Sequence, residues 1–507
     1  MPKSLPARAN LEQLKNQAKD LLKALQAGES AALDRTRQNH PGWLNKTDAQ
    51  LRAASLTDTQ LAIAREYGFE SWPRLKHELD RRALEPSGDL MPLFKQAFMD
   101  DDAVAFAELL TRFPEMKARV NDPVGPFDSP LVTCVKSRDM LDVLLSAGAD
   151  INARSRWWAG GFGLLDSATP DLAAYAIERG AVVDVHAAAR LGMMAELGRL
   201  VAADPALVHA RGGDGQTPLH FASTVKIADY LLQQGAKIDV RDIDHESTPA
   251  QYMVRDRQEV ARYLVSHGCR TDLLMACALG DEKRVREYLD ANPRCVRMNV
   301  SIEYFPKENP HSGGTIYTWT LGQNKSAHAI AREFGHERLF ALLLERSPDE
   351  LKLVVACEVG DQRLLDQIMA QHPGLVRALP DSDRQRLAHA ARDENSRAVE
   401  LMLSAGWPTD VRGQHGATPL HWAAFHGNKQ MTATILRYHP PLECTDSDFH
   451  ATPLGWATHG SEQGWRCRTG DYAGTVEVLL QAGAKLPETI KGTEAVKEVL
   501  GRFGASR

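Results

Sequence analysis

Two tetrapeptides, Thr217-Pro218-Leu219-His220 and Thr418-Pro419-Leu420-His421, limit what this chain can fold into more than any other feature. Each opens the same helix–turn–helix unit. Phe221-Ala222-Ser223, Leu231-Leu232 and Gly235-Ala236 follow the first, and Trp422-Ala423-Ala424 and a matching second helix follow the second. Related openings stand at Ser129-Pro130-Leu131, Thr248-Pro249 and Thr452-Pro453-Leu454. Thr217 to Thr248 is 31 residues and Thr418 to Thr452 is 34, a period that marks an array of stacked units. In such an array each unit buries the apolar face of its neighbour, so no single core has to grow with length.

That resolves what length alone leaves open. At 507 residues the chain would otherwise suggest about three domains. Apolar residues make up 43% and charged residues 25%, enough for folding and too apolar for disorder. The net charge of −6 and the lack of a Lys/Arg run argue against nucleic acid as a partner, because that affinity comes mainly from neutralising phosphates. Met1 to Leu11 lacks the apolar stretch of a signal peptide, and no segment reaches the ~20 apolar residues of a membrane span. The seven cysteines are odd in number and scattered, which reads as reduced, mostly buried thiols in a cytoplasmic protein.

Residues 10–82 lie outside the obvious array. Asn10 with Gln13 has the form of a capping box, and Leu11, Leu14, Ala18, Leu21, Leu22 and Leu25 form one helical stripe ending before Gly28. Thr57 with Gln60 repeats the start signal and Gly68 stops that helix. Ala62-Ile63-Ala64-Arg65-Glu66-Tyr67-Gly68 has a near copy at Ala329-Ile330-Ala331-Arg332-Glu333-Phe334-Gly335. Further on, a turn residue precedes a proline by 13 residues four times: Asp101 to Pro114, Gly192 to Pro205, Gly280 to Pro293 and Gly360 to Pro373. These turns are 91, 88 and 80 residues apart, a super-repeat of two or three units.

Motif, period and helix-ending glycines together resemble ankyrin-repeat proteins. The N-terminal region and the irregular insertions are similar to those of a group of bacterial ankyrin-repeat proteins. The resemblance implies an all-α solenoid of stacked helix–turn–helix units with short β-hairpin connections. It gives a helical cap at 1–86, an array of about twelve units at 87–485, and a C-terminal capping helix and tail at 486–507. Twelve stacked pairs would extend on the order of 100 Å. The resemblance also implies that His220 and His421 brace their turns by hydrogen bonds.

Departures from the repeat are where function is expected. In Arg154-Ser155-Arg156-Trp157-Trp158-Ala159-Gly160-Gly161, adjacent side chains of an extended segment face opposite ways. Either Trp157 or Trp158 is therefore expected to be exposed, unless it packs on the next hairpin. In Asp242-Ile243-Asp244-His245-Glu246-Ser247-Thr248, Glu246 stands where the preceding repeat has Gly215. Asp242, Asp244, His245 and Glu246 are there either an ion site or acid–base pair, or a hairpin tip salt-bridged to its neighbours. Residues 299–325 form a long insertion that includes Tyr304 and Lys307. Its Thr315-Ile316-Tyr317-Thr318-Trp319 run alternates like a strand turned back by Gly313-Gly314. Aromatic content makes it the first candidate for a contacting finger. A fourth departure, around 460–470, carries Trp465, Arg466 and Tyr472.

No phosphate loop, dinucleotide fingerprint, HExxH pair or GxSxG elbow is present, and Cys444, His450, His459 and Cys467 match no zinc spacing. No catalytic residue, metal or cofactor is therefore assigned. The expected role is non-enzymatic recognition of a protein by a monomeric scaffold, with Trp157, Trp158, Tyr317, Trp319, Trp465 and Arg466 as anchors. The alternative is a small-molecule or saccharide site, with or without catalysis, where the irregular loops converge. Capped ends argue against a purely self-associating scaffold.

Overall fold

The computed structural model describes Lys3, Leu5, residues 11–84 and residues 90–505. Asn10, the expected cap of the first helix, and residues 85–89, at the expected end of the cap region, lie outside them. The chain divides into two compact units, Met1–Pro218 and Leu219–Arg507.

The first unit begins with five helices, Leu11–Ala27, Ser30–Asn39, Asp48–Arg52, Leu56–Glu66 and Trp72–Leu84. Leu14, Ala18, Leu21 and Leu25 are buried on one face of the first, as their spacing requires. The fourth helix starts two residues earlier than the Thr57/Gln60 signal predicts. Ser55 and Asp58 form the capping box instead, and Thr59 turns inward, with its hydroxyl donating to the Leu56 carbonyl. Helix pairs follow from Met91–Met99 onward, with Ala103–Arg112, Arg138–Ser146 and Pro170–Glu178 packed in series.

In the second unit the first helices of successive pairs, Arg386–Arg392, Pro419–Phe425 and Pro453–Gln463, pack in one layer. The second helices, Ser396–Ser404, Lys429–Leu436, Tyr472–Gln481 and Glu494–Arg502, form the other. The buried Leu387, Ala391, Leu420, Ala423, Leu454 and Ala457 lie between them with Val399, Met431, Ile435 and Val476. All four turns of the 13-residue pattern hold a left-handed residue, Asp101, Gly192, Gly280 and Gly360, with φ of 53°, 70°, 69° and 74°.

The expected β-hairpins are not strands. Among the described residues there are only isolated bridges, Gly125 to Ser129, Arg154 to Gly163 and Asn299 to Ser326. The connections are tight loops closed by single bonds, such as the Gly413 N–H to the Ala417 carbonyl at 3.0 Å. His421 does brace its turn. Its Nδ1 accepts from the Thr418 hydroxyl at 2.8 Å, and its Nε2 donates to the Ala451 carbonyl of the next loop at 3.0 Å. His220 Nε2 reaches the Ser247 carbonyl at 3.2 Å in the same way.

Candidate functional site

The acidic loop at 242–248 and the long insertion at 299–325 explain each other. The Asp242 carboxylate accepts the N–H groups of His245 and Ser247, both at 2.7 Å, and so folds the loop back on itself. The rest of the loop holds the insertion. Glu246 accepts the N–H groups of Glu308 and Asn309 at 2.9 and 2.6 Å. Asp244 accepts from the Gly313 N–H at 3.0 Å, His245 Nδ1 donates to the Gly314 carbonyl at 3.0 Å, and Ser247 Oγ accepts from the Ile316 N–H at 3.1 Å. Asp242, Asp244 and His245 are buried. Burial keeps the Asp242 carboxyl above its usual range, although two backbone N–H bonds pull the other way. Asp244 and His245 each give a side-chain bond to the insertion, and Asp242 holds the loop that carries them.

The strand expected at Thr315–Trp319 is absent. Thr318–Gly322 is a short π-helical turn, and the preceding residues run into it as irregular backbone. No second strand faces this run, and a lone hairpin is only marginally stable. Tyr317, expected as an anchor, is fully buried and its hydroxyl donates to Asp272 at 2.8 Å. Tyr472 is likewise buried, its hydroxyl donating to the Phe425 carbonyl at 2.8 Å, so neither can reach a partner.

Tyr304 and Lys307 have a different place. With Phe305 they line one side of a cavity of about 690 Å³. Arg386, His389 and Arg392 line it from the helix Arg386–Arg392, and Gly413 and Gln414 line it from the loop that follows. Arg297 lines it too and is paired with the buried Asp383 at 2.8 Å. The Arg386 guanidinium donates to the Asn324 carbonyl, and Asn324 Nδ2 donates to Asp393 at 3.1 Å, which fixes the insertion's far end to that helix. Burial, helped by the charges of Arg386 and Arg392, pushes the His389 imidazole down to about 4. None of Asp242, Asp244, His245, Glu246, Trp319 or Trp465 lines this cavity.

Arg392 is also part of a second feature. Its guanidinium lies 5.6 Å from the Trp422 ring and 5.4 Å from the Trp465 ring, and the two indoles stack with centroids 6.0 Å apart. Phe425 meets Trp465 edge-on at 5.4 Å. Trp465 nevertheless remains 61% exposed, and its neighbour Arg466 is paired with Glu394 at 2.7 Å. Trp319 is 74% exposed and does not line the cavity.

In the first unit Trp158 is exposed, while Trp157 is half-buried against Phe127 with ring centroids 4.8 Å apart. Sequence reasoning missed Arg297, Arg386, His389 and Arg392. The signal available was the spacing of three along residues 386, 389 and 392, which puts all three on one helical face.

The fold defines a mostly helical repeat protein. Comparison with known families identifies the repeat: a three-copy ankyrin-repeat model matches residues 185–275 and a single ankyrin-repeat model matches residues 415–447. Among curated proteins, the palmitoyltransferase Hip14 of Drosophila melanogaster is 26% identical over 124 residues, 24% of this chain and 18% of that protein. A probable E3 ubiquitin-protein ligase, XBOS31, of Oryza sativa subsp. japonica is 31% identical over 97 residues, 19% of this chain and 22% of that one. The E3 ubiquitin-protein ligase XB3 of the same plant is 31% identical over 93 residues, 18% of this chain and 21% of that one. The chain thus spans about a fifth of the length of the curated relatives it matches. No helix among the described residues is long and apolar enough to cross a membrane.

Proposed function

We propose that this chain is a non-enzymatic protein-recognition scaffold, working as a monomer in the reducing cytoplasm of a bacterium. In this reading residues 87–485 form an ankyrin solenoid of about twelve units capped by 1–86 and 486–507. The partner docks on the face of the Leu219–Arg507 unit that carries Trp465, Arg392 and the insertion. One observation carries the reading: Trp465 is held in place by Trp422, Phe425 and Arg392, yet most of its surface faces solvent. A rigid aromatic group beside an arginine is the usual make-up of a binding hot spot, since it buries much area at little entropic cost. Trp158 and Trp319 offer further exposed aromatic area. The activities named for the relatives lie in proteins that this chain covers only in small part, and none is carried over.

The test is affinity capture from lysate of the source cell, wild type against Trp465→Ala, read by mass spectrometry. A protein held by the wild type and retained at least about tenfold less by the variant supports the reading, a tenfold loss being about 1.4 kcal/mol. Capture of nothing by the wild type, with a metabolite raising its melting temperature, replaces it with small-molecule binding.

A further inference from the structure

We infer that the cavity beneath the insertion takes an acidic segment of the partner protein, its carboxylates seated among Arg297, Lys307, Arg386 and Arg392. The inference rests on the recognition reading above.

Charge carries the first part of the argument. The chain has a formal net charge of −6, yet this cavity collects four cationic side chains against two carboxylates, Glu303 and Asp383. Asp383 is already neutralised by Arg297, and Arg392 pairs with Asp393 at 2.8 Å, so the excess positive charge rests on Arg386 and Lys307. Arg386 has no carboxylate partner among the described residues. Its bond goes to a neutral carbonyl, although a guanidinium carries five donors. Lys307 likewise spends its ammonium on the Ser312 carbonyl.

Unmet donors and acceptors give the second part. Arg392 Nε and His389 Nδ1 are both buried without a hydrogen-bond partner. A buried polar atom left alone is costly, so a bound group that draws the Arg392 side chain into contact recovers part of that cost. Charge-assisted bonds between guanidinium and carboxylate are the strongest such replacement.

Continuity decides for a chain segment over a small anion. Arg392 belongs both to the cavity and to the stack under Trp465, so one ligand must be extended to use both. An acidic stretch followed by an apolar or aromatic residue has that form. The acidic loop at 242–248 clamps residues 308–316 of the insertion, and this lowers the ordering cost of binding. Recognition of acidic motifs by arginine clusters is an established mode of peptide binding.

The experiment pans a random dodecapeptide display library against the full chain at low salt. The expected result is enrichment of Asp- and Glu-rich sequences. The best of them, made synthetically, should bind at least about tenfold more weakly to Arg386→Gln and to Lys307→Gln. It should also bind about tenfold more weakly in 0.3 M salt, where exposed charges are largely screened. Lys307 is exposed, so its variant keeps the test open if loss of the Arg386–Asn324 bond harms folding, which the melting temperature reports. Neutral or basic sequences, or binding indifferent to both variants, overturn the acidic segment while leaving recognition standing. If panning enriches nothing although lysate capture finds a Trp465-dependent partner, the inference alone fails. If inorganic phosphate raises the melting temperature of the wild type and no peptide is selected, the cavity is a small-anion site and the inference is wrong.

Discussion

At the scale of the residue, Glu246 shows how a local penalty is held in place by distant bonds. Its φ is 49°, in the left-handed region where the preceding repeat has Gly215 at 71°. A non-glycine residue there costs on the order of 1 kcal/mol, and such strain persists only where its surroundings over-determine it. Two N–H groups from the insertion do so here. Comparing the two loops in the sequence exposes the anomaly, but nothing local names a partner 62 residues away. Buried histidines give a prediction at the same scale. Burial holds His328 and His421 down to about 4, so both are neutral in the fold. The unfolded chain, with ordinary histidines near 6.5, takes up protons first as pH falls, so stability is full above about 6.5 and is lost towards about 4. Each group contributes on the order of 3 kcal/mol across that window. A melting series from about pH 7 to about 4.5 should show the decline, and His421→Gln should make it shallower.

At the scale of the element, helices were legible and the insertion was not. Repeat helices follow from periodicity and caps, both encoded within a dozen residues. The insertion's backbone follows instead from contacts with residues 241–247 and 272, so its alternating apolar pattern misled. Tyr317 and Tyr472 were misread for the same reason: an aromatic residue in an irregular segment reads as exposed until the partner of its hydroxyl is known. Arg386, His389 and Arg392 were passed over because they sit in a regular repeat. Glu246→Ala should free the N–H groups of Glu308 and Asn309 at a local cost of about 1–3 kcal/mol. Hydrogen exchange at those two amides should quicken at least about tenfold, while the helix Gln258–Ser266 keeps its protection.

At the scale of the whole molecule, the repeated heptapeptide is used twice in the same way. Glu66 is held by Arg35 and Lys3, and Glu333 by Arg255 and Lys325. The period pointed to stacked repeats, and the family comparison finds them over 185–275 and 415–447. Where the chain parts into two units was not legible, because Pro218 lies inside a well-formed repeat opening. Core clusters at 14–79, 93–187 and 353–500 are spread along the chain, as expected for an array in which units bury their neighbours. Heat unfolding should therefore depart from a single two-state step, and scanning calorimetry should give an enthalpy exceeding the van't Hoff value. Equality of the two would mean that the units unfold together.

The clamp between residues 244–247 and 308–316 also acts as a ruler. Repeat arrays change most readily by gaining or losing a whole copy, since each copy touches only its neighbours. Here the clamp bridges over the helices Pro249–Met253, Gln258–Ser266, Leu273–Leu279 and Glu282–Ala291. Adding or removing a copy within that span would carry the insertion away from the loop that holds it. The number of helices in this stretch is thereby constrained.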